Sequence, residues 1–458
     1  MALLIETPDE QIRDAEDELL TSPTGAAKPK KKKGFSRFMR IIGPGVVTGA
    51  ADDDPSGIAT YTQAGAQFGL QLPWTMLFTY PLMTAVQEAC ARVGAVTGKG
   101  LAAIIRDNYS KKVLFPVVLL VVAANTFNIG SDIGAMAAST QLIVPWISFP
   151  VLAVSFAVIM LLLEIFVPYR MYVRILKWLA LALFAYFITA FLVHVPWFEV
   201  LKATLIPHIE FNQEFLYMIV AIFGTTISPY LFFWQASNVV EDEISEHRLP
   251  QKGGTPKISK RYLRRLRIDT VIGMLFSNVT AWFIIVVGAV VLGAHGITNI
   301  NTAADAAKAL EPLVQGFPNA GYISKLIFAV GVIGIGLMSV PVLAGSSSYA
   351  ISETFNWKEG LFRRFKQARE FYIIIVVGTL VGLCFNFIGL DPIKALIFTA
   401  VLNGIAAVPL IYFIAKLSSR HDVMGEYKSK FWSKLGLWTA FVVMGVFAVL
   451  LIKSFIFP

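Results

Sequence analysis

Asp52-Asp53-Asp54-Pro55-Ser56-Gly57 is the stretch on which the reading of this chain turns. It lies inside an apolar run, residues 38–67, that is long enough to be a first membrane span. A charged side chain at mid-bilayer costs several kcal/mol, roughly 2.5–3.5 by insertion scales, so one that persists faces an ion or a water-filled cavity. Pro55 lacks an amide donor and Gly57 loosens the backbone, so the helix is expected to break here. Broken helix at membrane depth is tolerated only where the freed carbonyls line a cavity or hold a substrate. Acid, broken backbone and apolar flanks together point to a cation site. The plainer reading puts the acids in water at the end of a shorter helix. Apolar sequence on both sides argues against it.

Composition sets the frame. The chain has 458 residues, 56% hydrophobic and 15% charged, with a formal net charge of +9. Its mean hydropathy is +0.66. These values describe a polytopic membrane protein. The excess of Lys and Arg lies between apolar runs rather than on one patch, which argues for topology and against nucleic acid. Cys90 and Cys384 fall in expected spans and have no metal-ligand spacing. Residues 1–37 read as a disordered cytoplasmic tail without a secretory signal, acidic from Glu6 to Glu18 and basic at Lys28 and Lys30–Lys33.

Runs of spanning length fall at 38–67, 72–97, 112–140, 146–167, 171–196, 214–239, 267–294, 322–350, 369–389, 391–416 and 433–456. That makes about eleven helices, with Pro168-Tyr169-Arg170 dividing the fourth from the fifth. With the N-terminus inside, the inner loops collect Arg106, Lys111 and Lys112, then Arg170 and Arg174. They also hold eight basic residues from Arg248 to Arg267, and the segments Lys358–Arg369 and Lys416–Lys434. The outer loops hold few, chiefly Lys202 and Lys308. This alternation predicts an inside N-terminus and an outside C-terminus. The compact loops suggest a bacterial inner membrane.

The sixth span is interrupted as the first is. Phe223-Gly224-Thr225-Thr226-Ile227-Ser228-Pro229-Tyr230 sets polar and helix-breaking residues in an apolar run. Both interruptions place Pro directly after an oxygen-bearing side chain, Asp54-Pro55 and Ser228-Pro229. They occupy matching positions of two five-span halves, 38–196 and 214–416, with 433–456 left as an eleventh span. Halves of five spans have opposite orientation, the pattern of inverted-repeat transporters with a midplane site.

These motifs resemble the NRAMP family of divalent-metal transporters. The likeness includes Gly43-Pro44-Gly45, Asp54-Pro55, Ala59-Thr60, Ala64-Gly65-Ala66, Gln87, Ala91-Arg92-Val93-Gly94, Thr97-Gly98 and Leu101-Ala102. It resumes at Leu310-Glu311-Pro312-Leu313 and Gly345-Ser346-Ser347, so it covers about 38–420. It implies an all-α LeuT-type fold, a 5+5 inverted repeat with discontinuous helices 1 and 6, and metal-ion transport. No enzyme chemistry, cofactor or obligate protein partner is implied; the expected partners are a divalent cation and the lipid bilayer.

The departures from the family pattern are specific. Its Asp-Pro-Gly-Asn reads Asp54-Pro55-Ser56-Gly57 here, so Gly57 stands where the family has an Asn ligand. Its Ala-x-x-Met-Pro-His reads Thr225-Thr226-Ile227-Ser228-Pro229-Tyr230, so Ser228 replaces Met and Tyr230 replaces His. The expected ligands are Asp54, Ser228, Thr225, the backbone near Ala51 and Gly57, and Asp53 close behind, with Asp52 in the vestibule. Without a thioether the set is all oxygen, which suits a hard cation that keeps part of its water shell. This resembles the NRAMP-related magnesium-transporter branch and predicts Mg²⁺, with Mn²⁺ as a second substrate.

In the third span the family's proton-route Asp and Glu match Asn128 and Ser131, with Asp132 one residue along. Loss of those acids, and of the His at Tyr230, predicts weak or absent proton coupling. Asn403 is expected to line the cavity or to form an interhelical bond, and Gln235 to face the inner exit. Glu241, Asp242 and Glu243 are expected at a solvated helix end. Glu88 and Arg92 are expected to pair, Asn125 and Asn278 to tie helices together, and Glu164 to lie at the interface. The rival readings are a proton-coupled transition-metal importer, an organic-solute transporter of the same fold and a cation sensor without transport.

Overall fold

The computed structural model describes residues 49, 52–167, 183–249, 256–389 and 391–456. The N-terminal tail, Ala51, Pro168-Tyr169-Arg170 and the start of the fifth span lie outside the described residues. Every described element is helical, as a chain buried in hydrocarbon requires, because each backbone amide must find its partner within the protein.

The first interruption falls where Pro and Gly placed it. Asp54 is extended (φ −66°, ψ 171°) and caps α1, Pro55–Phe68, whose first residue is proline. Then come α2 Trp74–Thr97, α3 Leu101–Asn108, α4 Lys111–Gln141 and α5 Phe149–Phe166. The described part of the fifth span is α6, Phe184–Leu192, followed by a short α7, Trp197–Leu205. The sixth span is two helices, α8 Gln213–Thr226 and α9 Pro229–Ser245. Between them Ile227 and Ser228 leave helical geometry, and α9 again restarts on a proline. The remainder is α10 Lys260–Val287, α11 Ala303–Ala307, α12 Ala320–Phe355, α13 Arg369–Phe385, α14 Pro392–Leu417, α15 His421–Met424 and α16 Phe431–Ile456.

Seven described helical stretches are long and apolar enough to cross a bilayer, and they match the third, fourth, sixth, seventh, eighth, tenth and eleventh expected spans. The other four fall on α1, α2, α6 and α13. Three of these are short within the described residues, and α2 is long enough but more polar. Corresponding spans of the two halves pack on one another: α2 on α10, α4 on α12, and α5 on α13. α5 and α16 are the most exposed of the seven and present their apolar side chains outward.

Two glycine contacts bring the broken helices into the centre. A Cβ on Gly224 of α8 would sit 1.9 Å from the Ala400 carbonyl oxygen of α14. One on Gly65 of α1 would sit 2.1 Å from the Ile285 carbonyl oxygen of α10. Only glycine permits such backbone approach. Just beyond Ile285, α10 widens into a π-helical turn, Gly288–Leu292, that packs on α1.

Several expectations need correction. α9 runs on to Ser245, so Glu243 is buried rather than solvated. Glu241 accepts from the Leu361 amide at 2.7 Å and pairs with the Tyr349 hydroxyl, tying α9 to α12 and the loop after it. Glu164, two residues before the end of α5, is buried among its neighbours. Glu88 and Arg92 do pair, at 3.0 Å, and Arg92 also reaches the Tyr427 carbonyl and Ser429. Asn125 and Asn278 join helices as expected, through Ser347 and Thr79.

Candidate cation site

Asp54 meets three donors. Its Oδ1 accepts from the Ser56 hydroxyl at 2.6 Å and the Gly57 amide at 2.8 Å, both within the first turn of α1. Its Oδ2 accepts from Asn128 Nδ2 of α4 at 2.9 Å. Asn128 in turn accepts through Oδ1 from the Thr399 hydroxyl of α14 at 2.9 Å. One carboxylate thereby joins the break in the first span to the third and tenth spans.

The sixth span approaches from the other side. Thr225 Oγ1 lies 3.4 Å from Ser56 Oγ, and the Tyr61 hydroxyl of α1 lies 2.9 Å from Thr226 Oγ1. Thr226 commits its own proton to the Ile222 carbonyl, so Tyr61 is the donor in that pair. Ser228 does not aim its proton across the gap. Its hydroxyl turns back onto the Gly224 and Thr225 carbonyls at 2.9 and 2.7 Å, capping the end of α8, as serine in an apolar helix often does. What Ser228 leaves for a ligand is its oxygen lone pairs. The side chain that the sixth span brings to the first turn of α1 is Thr225, through Ser56.

Asp52 and Asp53 form a second group. Asp52 Oδ2 and Asp53 Oδ1 lie 2.6 and 3.0 Å from Ser277 Oγ of α10, which has one proton for both. Asp52 Oδ1 and Asp53 Oδ2 are buried without a protein partner. Both residues are fully buried, so Asp52 does not stand in an open vestibule. Asp132 lies one helical turn after Asn128 on α4 and accepts from Ser339 of α12 at 3.0 Å, with Oδ1 unpartnered. Ser131 bonds its own helix at the Phe127 carbonyl. Tyr230 is fully buried in the first turn of α9. Asn403 is fully buried one turn after Thr399, with neither amide atom partnered. Gln235 is also buried. Among the described residues, no three His, Cys, Asp or Glu side chains converge as a metal-holding group.

A cavity of about 350 Å³ opens beside the far half of α1, lined by Gln63, Gln67, Glu214, Asn299, Asn301 and Lys394 among others. Gln63, two turns beyond Ser56, floors it. Its side chain binds the Ile300 amide at 2.7 Å and the Thr298 carbonyl at 3.0 Å, holding the loop before α11 over α1.

Sequence reading found Asp54 and the two breaks but missed Ser277, Thr399, Thr226, Tyr61 and Ser339. Thr399 and Ser277 had a faint signal: one is a turn before Asn403, and the other adjoins Asn278. Small hydroxyls are too common in membrane helices for that to single them out.

Comparisons with known proteins now bear on this geometry. The chain is 25% identical over 435 residues to a protein of Verminephrobacter eiseniae named divalent metal cation transporter MntH, covering 93% of this chain and 92% of the relative. It is 25% identical over 416 residues to a Klebsiella pneumoniae protein of the same name, covering 89% and 92%. A crystal structure of the Eremococcus coleocola manganese transporter, in complex with an aromatic bis-isothiourea compound, superposes with a TM-score of 0.70 at 17% identity, covering 95% and 90% of the two chains. MhsT, solved in complex with L-phenylalanine, gives 0.58 at 14% identity, with 90% and 98% covered. These likenesses carry the fold, and they bear out the expected LeuT-type architecture. The profile described as natural resistance-associated macrophage protein-like matches residues 45–454, and the chain therefore belongs to the Nramp family.

Proposed function

We propose that this chain carries a divalent metal cation across the membrane through a site anchored on Asp54, with Mg²⁺ as its main substrate and Mn²⁺ as a second. One observation carries the reading: the side chains that meet Asp54 and its direct partners are hydroxyls and an amide, from Ser56, Asn128, Thr225 and Thr399. Hard oxygen donors suit Mg²⁺, which sheds water reluctantly and binds through one or two carboxylates. A thioether or imidazole would bias the site toward softer metals. The ion's ligands are then Asp54, Thr225 and the lone pairs of Ser228, with Asn403 and the backbone at Ala51 and Gly57 completing the shell. Asp53 and Asp52 add negative potential from behind. The relatives named as divalent metal cation transporters support the ion class.

The two five-span halves, 38–196 and 214–416, rock about this site, with the N-terminal tail and the basic loops in the cytoplasm of a bacterial cell. Transport is driven by the membrane potential, with weak or no proton coupling, because Asn128, Ser131 and Tyr230 do not titrate near neutral pH. Reconstitution tests this: Mg²⁺ uptake into proteoliposomes is expected without internal acidification, and it is lost in Asp54→Ala. A proton-coupled importer is the second reading, and Asp132, buried with one free oxygen on the Asn128 face, is the observation that favours it. Acidification in step with metal uptake would select that reading.

A further inference from the structure

The start of α10 carries an unusual charge pattern. Lys260, Arg261, Arg264, Arg265 and Arg267 are all exposed and lie within the first eight residues of the helix. No acid occupies the first turn. Among the described residues none of the five is ion-paired. Cations at a helix N-terminus oppose the macrodipole and repel one another. Such a pattern is expected where an external anion compensates it.

The helix geometry says which anion. At about 100° per residue, the five cations fall in an arc of about 160°. Ile268, Ile272, Leu275 and Val279, all exposed, fall in the same arc one to five turns further on. The opposite face, with Tyr262, Leu263 and Leu266, packs against Ala91, Ala95 and Val239. One helix face therefore runs from an apolar, outward-facing stripe straight into a fivefold basic end. A rise of about 1.5 Å per residue puts Lys260 only about 12 Å from Ile268. Acyl chains along the stripe would place their own headgroups among the arginines.

We infer that the exposed face of α10, Lys260 to Val279, is a binding site for an anionic phospholipid, its phosphate held by Arg261, Arg264, Arg265 and Arg267 and its acyl chains lying along Ile268, Ile272, Leu275 and Val279. Guanidinium groups suit phosphate because they donate in a planar fork. The lipid steadies the seventh span, which also supplies Ser277 to Asp52 and Asp53.

The test is lipid retention by the full-length purified protein, read by native mass spectrometry after equilibration with mixed phosphatidylglycerol and phosphatidylcholine. Wild type is expected to keep phosphatidylglycerol in preference by about tenfold or more. The variant R261Q/R264Q/R265Q/R267Q is expected to fall to parity while holding phosphatidylcholine as before. The pairs R261Q/R264Q and R265Q/R267Q give intermediate values and serve if the fourfold variant does not fold. A control, K358Q/R364Q/K366Q/R369Q, removes three cations from the loop before α13 and one from its first residue, and should keep the preference. Equal retention by wild type and the α10 variants would overturn the site. So would equal loss in the control, or full displacement of the lipid by inorganic phosphate, which would mark a free-anion site.

Discussion

Asp54 owes its position to the helix it caps. Pro55 at the first helical position and the Gly57 amide fix its Oδ1, leaving Oδ2 to Asn128. Asp54→Asn keeps the shape and one capping oxygen but removes the charge. It is expected to yield folded protein with no measurable Mg²⁺ binding by calorimetry, and retention of wild-type affinity would remove Asp54 from the site. Thr399 acts at one remove. Thr399→Val strips Asn128 Oδ1 of its donor, which should cost about 1–3 kcal/mol of stability. It should also weaken Mg²⁺ binding by letting the Asn128 amide turn away, while Thr399→Ser restores both. The importance of Asp54 was legible in sequence because an acid beside a proline in an apolar run marks a helix break that a cation can occupy. The direction of the Ser228 proton was not legible for a local reason: a hydroxyl in a helix can satisfy itself on the carbonyls three and four residues back, and sequence does not show which way it turns.

The elements that matter most are the two broken helices, and their breaks were visible as Pro next to an oxygen side chain. Their depth of contact was not, since it rests on glycines meeting backbone in a distant helix. At Gly224 an added side chain would strike Ala400 and Gly404 of α14. Gly224→Val is expected to destabilise by about 1–3 kcal/mol or to force α8 outward, seen as a lower melting temperature in detergent and lost transport. An unchanged melting temperature would show that the α8–α14 contact yields freely. The loop after α12 offers a different kind of test. Glu359 is half-buried there. Burial first, and the neighbouring Glu353 and Glu241 carboxylates second, push its pKa well above the ordinary glutamate value. A raised folded-state pKa means that the protonated form is favoured by folding. Its contribution is present below the unfolded value of about 4.3 and is lost as pH rises through the folded value. Glu359→Gln should therefore raise the melting temperature at pH 8 and leave it nearly unchanged at pH 4. A lower melting temperature at pH 8 would contradict that placement.

At the scale of the molecule, Asp54 and the side chains around it are buried. Gln63 ties the Thr298–Ile300 loop to α1 beside the 350 Å³ cavity. The Ser237–Glu353 bond at 2.7 Å and the Glu241 contacts hold α9 to α12 and the loop after it. Most of the span count could be read from hydropathy. The buried end of α9 could not, because Glu241-Asp242-Glu243 has the composition of a solvated helix end and only tertiary contacts bury it. The central claim is that a carboxylate set among hydroxyls and amides selects a hard cation, and ion flux into proteoliposomes at fixed membrane potential tests it most directly. Mg²⁺ should enter, Mn²⁺ should compete with it, Cd²⁺ should enter poorly, and Asp54→Ala should abolish all three. Robust Cd²⁺ or Fe²⁺ entry with no Mg²⁺ flux would contradict it.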